Sequence, residues 1–284
     1  MTIQVNGLRV AGPRQEQARR LEGLKPVAGA ELDALVRVIK ANVIPKITQV
    51  HTADADTENS PGIREADVDH LVKAVLGGYE KSAENLLKQH LDAGVGDEKI
   101  CLELLAPAAA RLGSGWLSDD VSFYQVTTGA AQLQSLLRSL DRLRVSIAAS
   151  AGCGRKVILC GAPGEQHLFG LAMLEFFFRR EGWDAISTVG MSPDETLSIV
   201  KHSPCDLVAF SCSCSGLLDG LASAIQLTRS ESIKHDTKIM VGGQLFSDNP
   251  DLVSAVGCDA GAHDAAEAVR IAQSLVDIQP VADA

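Results

Sequence analysis

A change of rhythm near residue 150 constrains this chain more than any single motif. Beyond "SAGCGR" (150–155), short apolar runs alternate with helix-length segments at 168–181, 193–202 and 217–234. The runs are "KVILCGA", "WDAISTVG", "CDLVAFSCS" and "TKIMVGG", rich in Val and Ile. Apolar residues at successive positions predict strands buried on both faces. "CDAGAHDAAEAVRIAQSLV" adds a weak last strand and a closing helix. Each parallel strand needs a crossover to return, so this alternation predicts a doubly wound parallel sheet of five strands.

The preceding segment keeps a helical period instead. "ELDALVRVIKANVIPKI" sets Leu32, Leu35, Val36, Ile39 and Val43 on one helix face before Pro45 ends or kinks it. After the polar loop "HTADADTENSPGI", two short helices flank Gly77-Gly78. A further helix is expected to be interrupted by Pro107 and to end near Gly113. Asp119 or Asp120 is the expected cap of the next, whose face runs through Val126, Ala130, Leu133, Leu137 and Leu140. The fold class expected is α/β: an N-terminal helical bundle followed by a flavodoxin-like (Rossmann-like) five-stranded parallel sheet. The domains are an N-terminal arm at 1–29, expected to be flexible, a bundle at 30–148 and an α/β domain at 154–279.

A net charge of −10 over 284 residues argues against direct contact with DNA, since binding phosphate needs clustered Lys and Arg. The basic stretch 1–29, with Arg14, Arg19, Arg20 and Lys25, reads as a solvated tail. No signal-like apolar start and no run near a membrane span is found, and seven cysteines without framework spacing suit a reducing compartment. The expectation is a cytoplasmic protein.

The loop after the first strand, "CGAPGEQHLFG", tests three chemistries. From Gly161 the dinucleotide fingerprint would need glycines where Pro163 and Gln166 stand, and the P-loop lysine is missing. Cys205, Cys212 and Cys214 lack the paired spacing of a zinc site and read as buried or half-buried thiols. His167 remains. In an open parallel sheet ligands bind beyond the carboxyl ends of the strands, where strand order reverses. Ser211 and Ser213 end the third strand there and Gly242-Gly243 the fourth. A histidine facing a slot lined by Ser and Gly suggests axial ligation of a metal in a large cofactor; a loop histidine making a single hydrogen bond is the plainer alternative.

These residues resemble the cobalamin-binding domains of the methionine synthase and mutase type, which carry D-x-H-x-x-G, then S-x-L, then G-G. Here the order reads Glu165-Gln166-His167-Leu168-Phe169-Gly170, then Ser211-Cys212-Ser213, then Gly242-Gly243. Glu165 replaces the aspartate and Ser213 the leucine. The resemblance implies that 154–279 binds cobalamin (hydroxo-, methyl- or adenosylcobalamin). His167 would be the metal ligand, Glu165 its orienting carboxylate and Gly170 part of the motif. Ser211 and Ser213 would hydrogen-bond the cofactor's tail, and Gly242 and Gly243 would admit it closely. The bundle resembles the cap over the corrin, with Trp116 on the upper face. Light-sensing regulators of this type follow that Trp with Glu-His, where this chain has Val126-Thr127.

"PGEQHLFGLAMLEFFFRREGWD" further resembles the antirepressors of photosynthesis genes in purple bacteria, the AerR/PpaA group. That resemblance implies a light- or redox-responsive regulator, not an enzyme, acting on a transcriptional repressor of the PpsR/CrtJ type. Two alternatives stand beside it: a corrinoid carrier for methyl transfer, and a haem sensor using His167.

Overall fold

The computed structural model describes residues 62–145 and 153–277, and the elements are numbered within them. The arm at 1–29 and the helix expected from Leu32 to Val43 lie outside the described residues. The helical half begins with α1 (Glu65–Leu76) and α2 (Glu80–Asp92), joined through Gly77-Gly78 as expected. A continuous helical rod follows: α3 (Asp97–Lys99), a π-helical stretch (Ile100–Leu105) and α4 (Ala106–Leu117). A long helix, α5 (Phe123–Val145), closes the bundle.

Two expectations about this half are corrected. Pro107 does not interrupt the rod, and the helix runs past Gly113 to Leu117. The reason lies in the preceding turn, where the Ala106 N–H bonds back to the Cys101 carbonyl, five residues away. The wider π register removes the need for an N–H at Pro107 and relieves its ring from the previous turn. The cap of α5 is neither Asp119 nor Asp120 but Ser122. Its backbone N–H donates to Gln125 Oε1 at 3.0 Å, and the Gln125 N–H donates to Ser122 Oγ at 3.3 Å. This is a Ser-x-x-Gln capping box. Asp119 instead takes a positive φ of 62° in the turn.

The second half is the expected sheet. β1 (Lys156–Gly161), β2 (Asp184–Ser187), β3 (Leu207–Ser211), β4 (Lys238–Gly242) and β5 (Ala260–Ala262) pair in the order β2-β1-β3-β4-β5, all parallel. The crossovers carry α6 (Phe169–Arg180), α7 (Pro193–His202), α8 (Leu218–Glu231) with a 3-10 turn before it (Ser215–Leu217), and α9 (Gln244–Asp248) with α10 (Leu252–Ala255). The closing helix is α11 (Ala265–Asp277).

Alternation along the strands divides the apolar residues between two cores. Val157, Leu159, Leu207, Ala209 and Met240 join α6, α11 and the bundle in one cluster. Ile158, Cys160, Val208, Phe210, Ile239 and Val241 pack on the opposite side. The first cluster also holds Leu71, Leu104, Leu133 and Leu140, so bundle and sheet share a hydrophobic core. The change of rhythm near 150 therefore marks a boundary in the chain rather than in the packing. Strand order reverses beside β1: the chain leaves it for β2 on one side and returns to β3 on the other. The loops after β1 and β3 therefore open at a topological switch point.

Candidate functional site

The chain leaves β1 through a tight turn. The Glu165 N–H donates to the Ala162 carbonyl at 2.8 Å, enclosing Pro163 and Gly164. Gly164 has a φ of +90°, the left-handed value that the third position of a Pro-Gly type II turn requires. The turn folds Glu165 back against the end of β3. There its side chain is 1% exposed, while that of His167 is 70% exposed. The carboxylate is the buried support and the imidazole is the part presented.

Every donor around Glu165 converges on it. Oε1 accepts from the backbone N–H groups of Gln166 and His167, both at 2.8 Å, and from the Ser213 hydroxyl at 3.0 Å. Oε2 accepts from the Ser213 N–H at 2.6 Å. Burial pushes the carboxyl toward its neutral form, but the hydrogen bonds from His167 and Ser213 outweigh it and hold the pKa below the usual glutamate range. The ionised carboxylate lies 2.7 Å from His167 Nδ1, and Ser213 Oγ lies 2.9 Å from the same nitrogen. A carboxylate accepts, so Nδ1 carries the proton and Nε2 keeps its lone pair. Among the described residues Nε2 makes no hydrogen bond. The arrangement of a buried carboxylate, a fixed tautomer and a free outward nitrogen is that of an oriented metal-ligating histidine.

Ser213 thus has a different partner from the one expected of it. Its hydroxyl is engaged by Glu165 and His167 rather than pointed at a cofactor tail. Ser211 stays at the cavity described next. Gly243 is obligatory for the packing of strand ends: its φ is +103°, and a Cβ there would collide with the Cys212 carbonyl. A Cβ on Gly242 would sit 3.2 Å from the Ala262 carbonyl oxygen. The glycine pair lets the β3, β4 and β5 ends approach one another.

A cavity of about 300 Å³ opens between the sheet's carboxyl edge, α6 and α11. Ser211, Gly242, Gly243 and Gly170 line it, so four of the residues singled out by sequence meet in one place. A Cβ added to Gly170 would meet nothing within 4 Å, so the glycine leaves the cavity open. Trp116, Val126 and Thr127 are not part of this lining. Trp116 is 45% exposed at the end of α4, Val126 packs against the core, and the Thr127 hydroxyl donates to the Phe123 carbonyl. The bundle reaches the cavity through Leu102 and Ala106 instead.

Sequence reasoning missed the apolar wall: Met173 and Phe178 on α6, Met240 on β4, and Ala265 and Ala268 on α11. The repeated alanines of "DAAEAV" were the signal, since small residues three apart on one helix face leave room against a sheet. The cysteines are placed away from any such role. Burial raises the Cys205 thiol to about 11 and pushes the Cys212 thiol up, while Cys214 is exposed.

Two family models described as "B12 binding domain" match this chain, over residues 155–271 and 68–140. An "Uncharacterized 20.5 kDa protein in bchF-crtJ intergenic region" from Rhodobacter capsulatus is 27% identical over 171 residues, 59% of this chain and 86% of that protein. Monomethylamine corrinoid protein 1 of Methanosarcina acetivorans is 22% identical over 73% of this chain and 96% of its own length. The solved structure of Methanosarcina barkeri monomethylamine corrinoid protein superposes with a TM-score of 0.60 at 20% identity, covering 75% of this chain and all of that one. Helical half and parallel sheet are therefore found together in another fold of this kind. The haem alternative gains no support from these likenesses, which name B12 and corrinoids. Among the described residues, no helix is long and apolar enough to cross a membrane.

Proposed function

The chain belongs to the B12-binding domain family, and from that premise we propose a cobalamin-dependent regulator that acts by binding a transcriptional repressor of the PpsR/CrtJ type. The observation that carries the corrinoid half is the Glu165–His167 pair, whose outward Nε2 stands free. The residues fit such a group. An imidazole lone pair is a donor suited to cobalt; Gly170, three residues on, borders a cavity walled by apolar side chains, although His167 and Glu165 are not themselves part of its lining. His167 would hold the cobalt through Nε2, Glu165 and Ser213 would fix its ring, and Ser211 with Gly242-Gly243 would border the part of the group in the cavity. A bound corrinoid would supply a cobalt centre whose ligation could change with light or redox state.

The regulatory half rests on the likeness to the Rhodobacter protein and on the run "PGEQHLFGLAMLEFFFRREGWD". A change at the cobalt would alter a conformational equilibrium only through contacts that differ between states, and in this reading the bundle, which reaches the cavity through Leu102 and Ala106, would make them. The test uses the full chain loaded with adenosylcobalamin or hydroxocobalamin. Its effect on a PpsR/CrtJ-type repressor bound to promoter DNA is followed by fluorescence anisotropy, in darkness and after illumination. Release of the DNA in only one state supports the proposal. Repressor binding unaffected by the protein in every state overturns it.

A methyl carrier is the second reading, favoured by the match of both halves to a monomethylamine corrinoid protein over its whole length. It requires methyl turnover with a corrinoid methyltransferase and no response to light. The regulator reading assigns the chain no catalysis of its own.

A further inference from the structure

A second cavity, of about 400 Å³, lies on the other side of the sheet, between α7 and α8. One wall is the turn Pro163-Gly164-Glu165 that also supports His167, and another is the loop from Thr188 to Met191 after β2. Phe210 on β3 is the one residue that lines both cavities. Gly220 and Ala224 stand one turn apart on α8, and their small volume leaves room between the helices.

The lining decides what could enter. Leu171, Leu197 and Val200 supply apolar walls, and no lysine, arginine or histidine contributes. The charged residues of the lining, Glu165 and Asp194, are both acidic, so an anion is disfavoured. Glu165 already accepts hydrogen bonds from His167, Gln166 and Ser213 and has no need of a cation. At the rim Val189, Met191 and Leu227 remain 41%, 42% and 46% exposed, an apolar border without a cover.

Thr228 supplies the polar point. It lines the cavity from α8 and is 3% exposed, yet its hydroxyl makes no hydrogen bond among the described residues. The other hydroxyls of α8 bond back to their own helix, Ser223 to the Asp219 carbonyl and Ser230 to the Leu227 carbonyl. The unpaired polar side-chain atoms that are fully sealed belong to His90, Gln132, Trp183 and Ser187. Thr228 Oγ1 is unpaired but not among them, so the oxygen keeps access to the space beside it. A nearly buried hydroxyl without a partner is costly and marks where a ligand atom completes the set.

We propose that this cavity binds a small, uncharged, largely apolar molecule whose single oxygen head pairs with Thr228. Apolar walls with one placed polar group are the usual make-up of such a site. It stands independently of the corrinoid reading, because its test needs no corrinoid.

The probe is 2-naphthol, with naphthalene lacking the head and 2-naphthoate carrying a charged one. The full chain is prepared with isotope-labelled methionine methyl groups, whose signals report position. Met191 lines this cavity, whereas Met173 and Met240 line the first. Titration should shift Met191 saturably and leave Met173 and Met240 in place. Thr228→Val keeps the shape and should weaken 2-naphthol about fivefold while leaving naphthalene unchanged. Its denaturant midpoint should not fall, since the variant removes an unpaired hydroxyl. Ala224→Leu, which fills the space with a good helix former, should abolish binding of both. The naphthoate should bind at least about tenfold more weakly than the naphthol. No saturable shift at Met191, shifts at Met173 and Met240 instead, or an equal affinity of Thr228→Val and wild type for 2-naphthol would overturn the proposal.

Discussion

Glu165 Oε1 and His167 Nδ1 stand 2.7 Å apart, the first on a buried side chain and the second on an exposed one. The difference in exposure gives the pair its direction: the carboxylate is enclosed, and among the described residues His167 Nε2 has no hydrogen-bond partner. His167→Ala should therefore abolish the lower-ligand signature in the absorption spectrum of the hydroxocobalamin complex. Affinity should fall by about tenfold or more, as for other disrupted ligand sets. Since the ring is largely exposed, thermal stability without corrinoid should hardly change. An unaltered spectrum in the variant would remove His167 from the ligand role.

The hydrogen bonds on Glu165 also tie stability to pH. Its pKa is below the ordinary glutamate value despite burial, so the folded state binds the proton less readily than the unfolded chain. The stabilisation is present in full above the unfolded pKa and is lost as pH falls through the folded one. Glu165→Gln turns one acceptor oxygen into an NH₂ that faces N–H donors. It should cost about 1–3 kcal/mol near neutral pH. Denaturant midpoints of wild type and variant, measured from pH 7 down to the acid limb, should converge as pH drops. A constant gap across that range would contradict the ionised state assigned to Glu165.

Ser213 occupies the position where the resembling family carries leucine, and its two bonds to Glu165 explain how the longer carboxylate is held. Ser213→Leu keeps the backbone N–H but removes the hydroxyl and crowds the carboxylate. Corrinoid affinity should drop several-fold, whereas Ser213→Leu/Glu165→Asp should recover part of the loss by shortening the acid. Titration with hydroxocobalamin checks both variants, and independent, additive losses would separate the two residues.

The strand rhythm was legible because parallel strands buried on both faces leave an unbroken apolar run, and "KVILCG" and "LVAFS" are two such runs. The loop motif was legible for a similar reason, since Pro163-Gly164 and Gly243 meet backbone requirements that few other residues can. Ser122 was hidden behind Asp119 and Asp120, which have equal capping propensity, and only the turn geometry chooses among them. The passage of the rod through Pro107 was hidden because a π register has no compositional signal. The partners of Ser213 were hidden too, because its bonds to Glu165 and His167 join loops far apart in the chain.

Two glycines at one edge of the sheet separate folding from binding. Gly243→Ala puts a Cβ against the Cys212 carbonyl at a left-handed φ of +103°, so the β3 and β4 ends must move apart. A loss of about 2 kcal/mol or more is expected from strain and displaced packing, read as a lower denaturant midpoint with or without corrinoid. Gly170 stands at the start of α6, where a Cβ meets open space within the cavity. Gly170→Val should leave the midpoint of the apoprotein within about 1 kcal/mol of wild type, since valine is no worse than glycine in a helix. The isopropyl group would nevertheless occupy the cavity and weaken hydroxocobalamin binding by about tenfold or more. A Gly170→Val protein that binds normally would show that the corrinoid does not use this cavity, whatever becomes of Gly243→Ala.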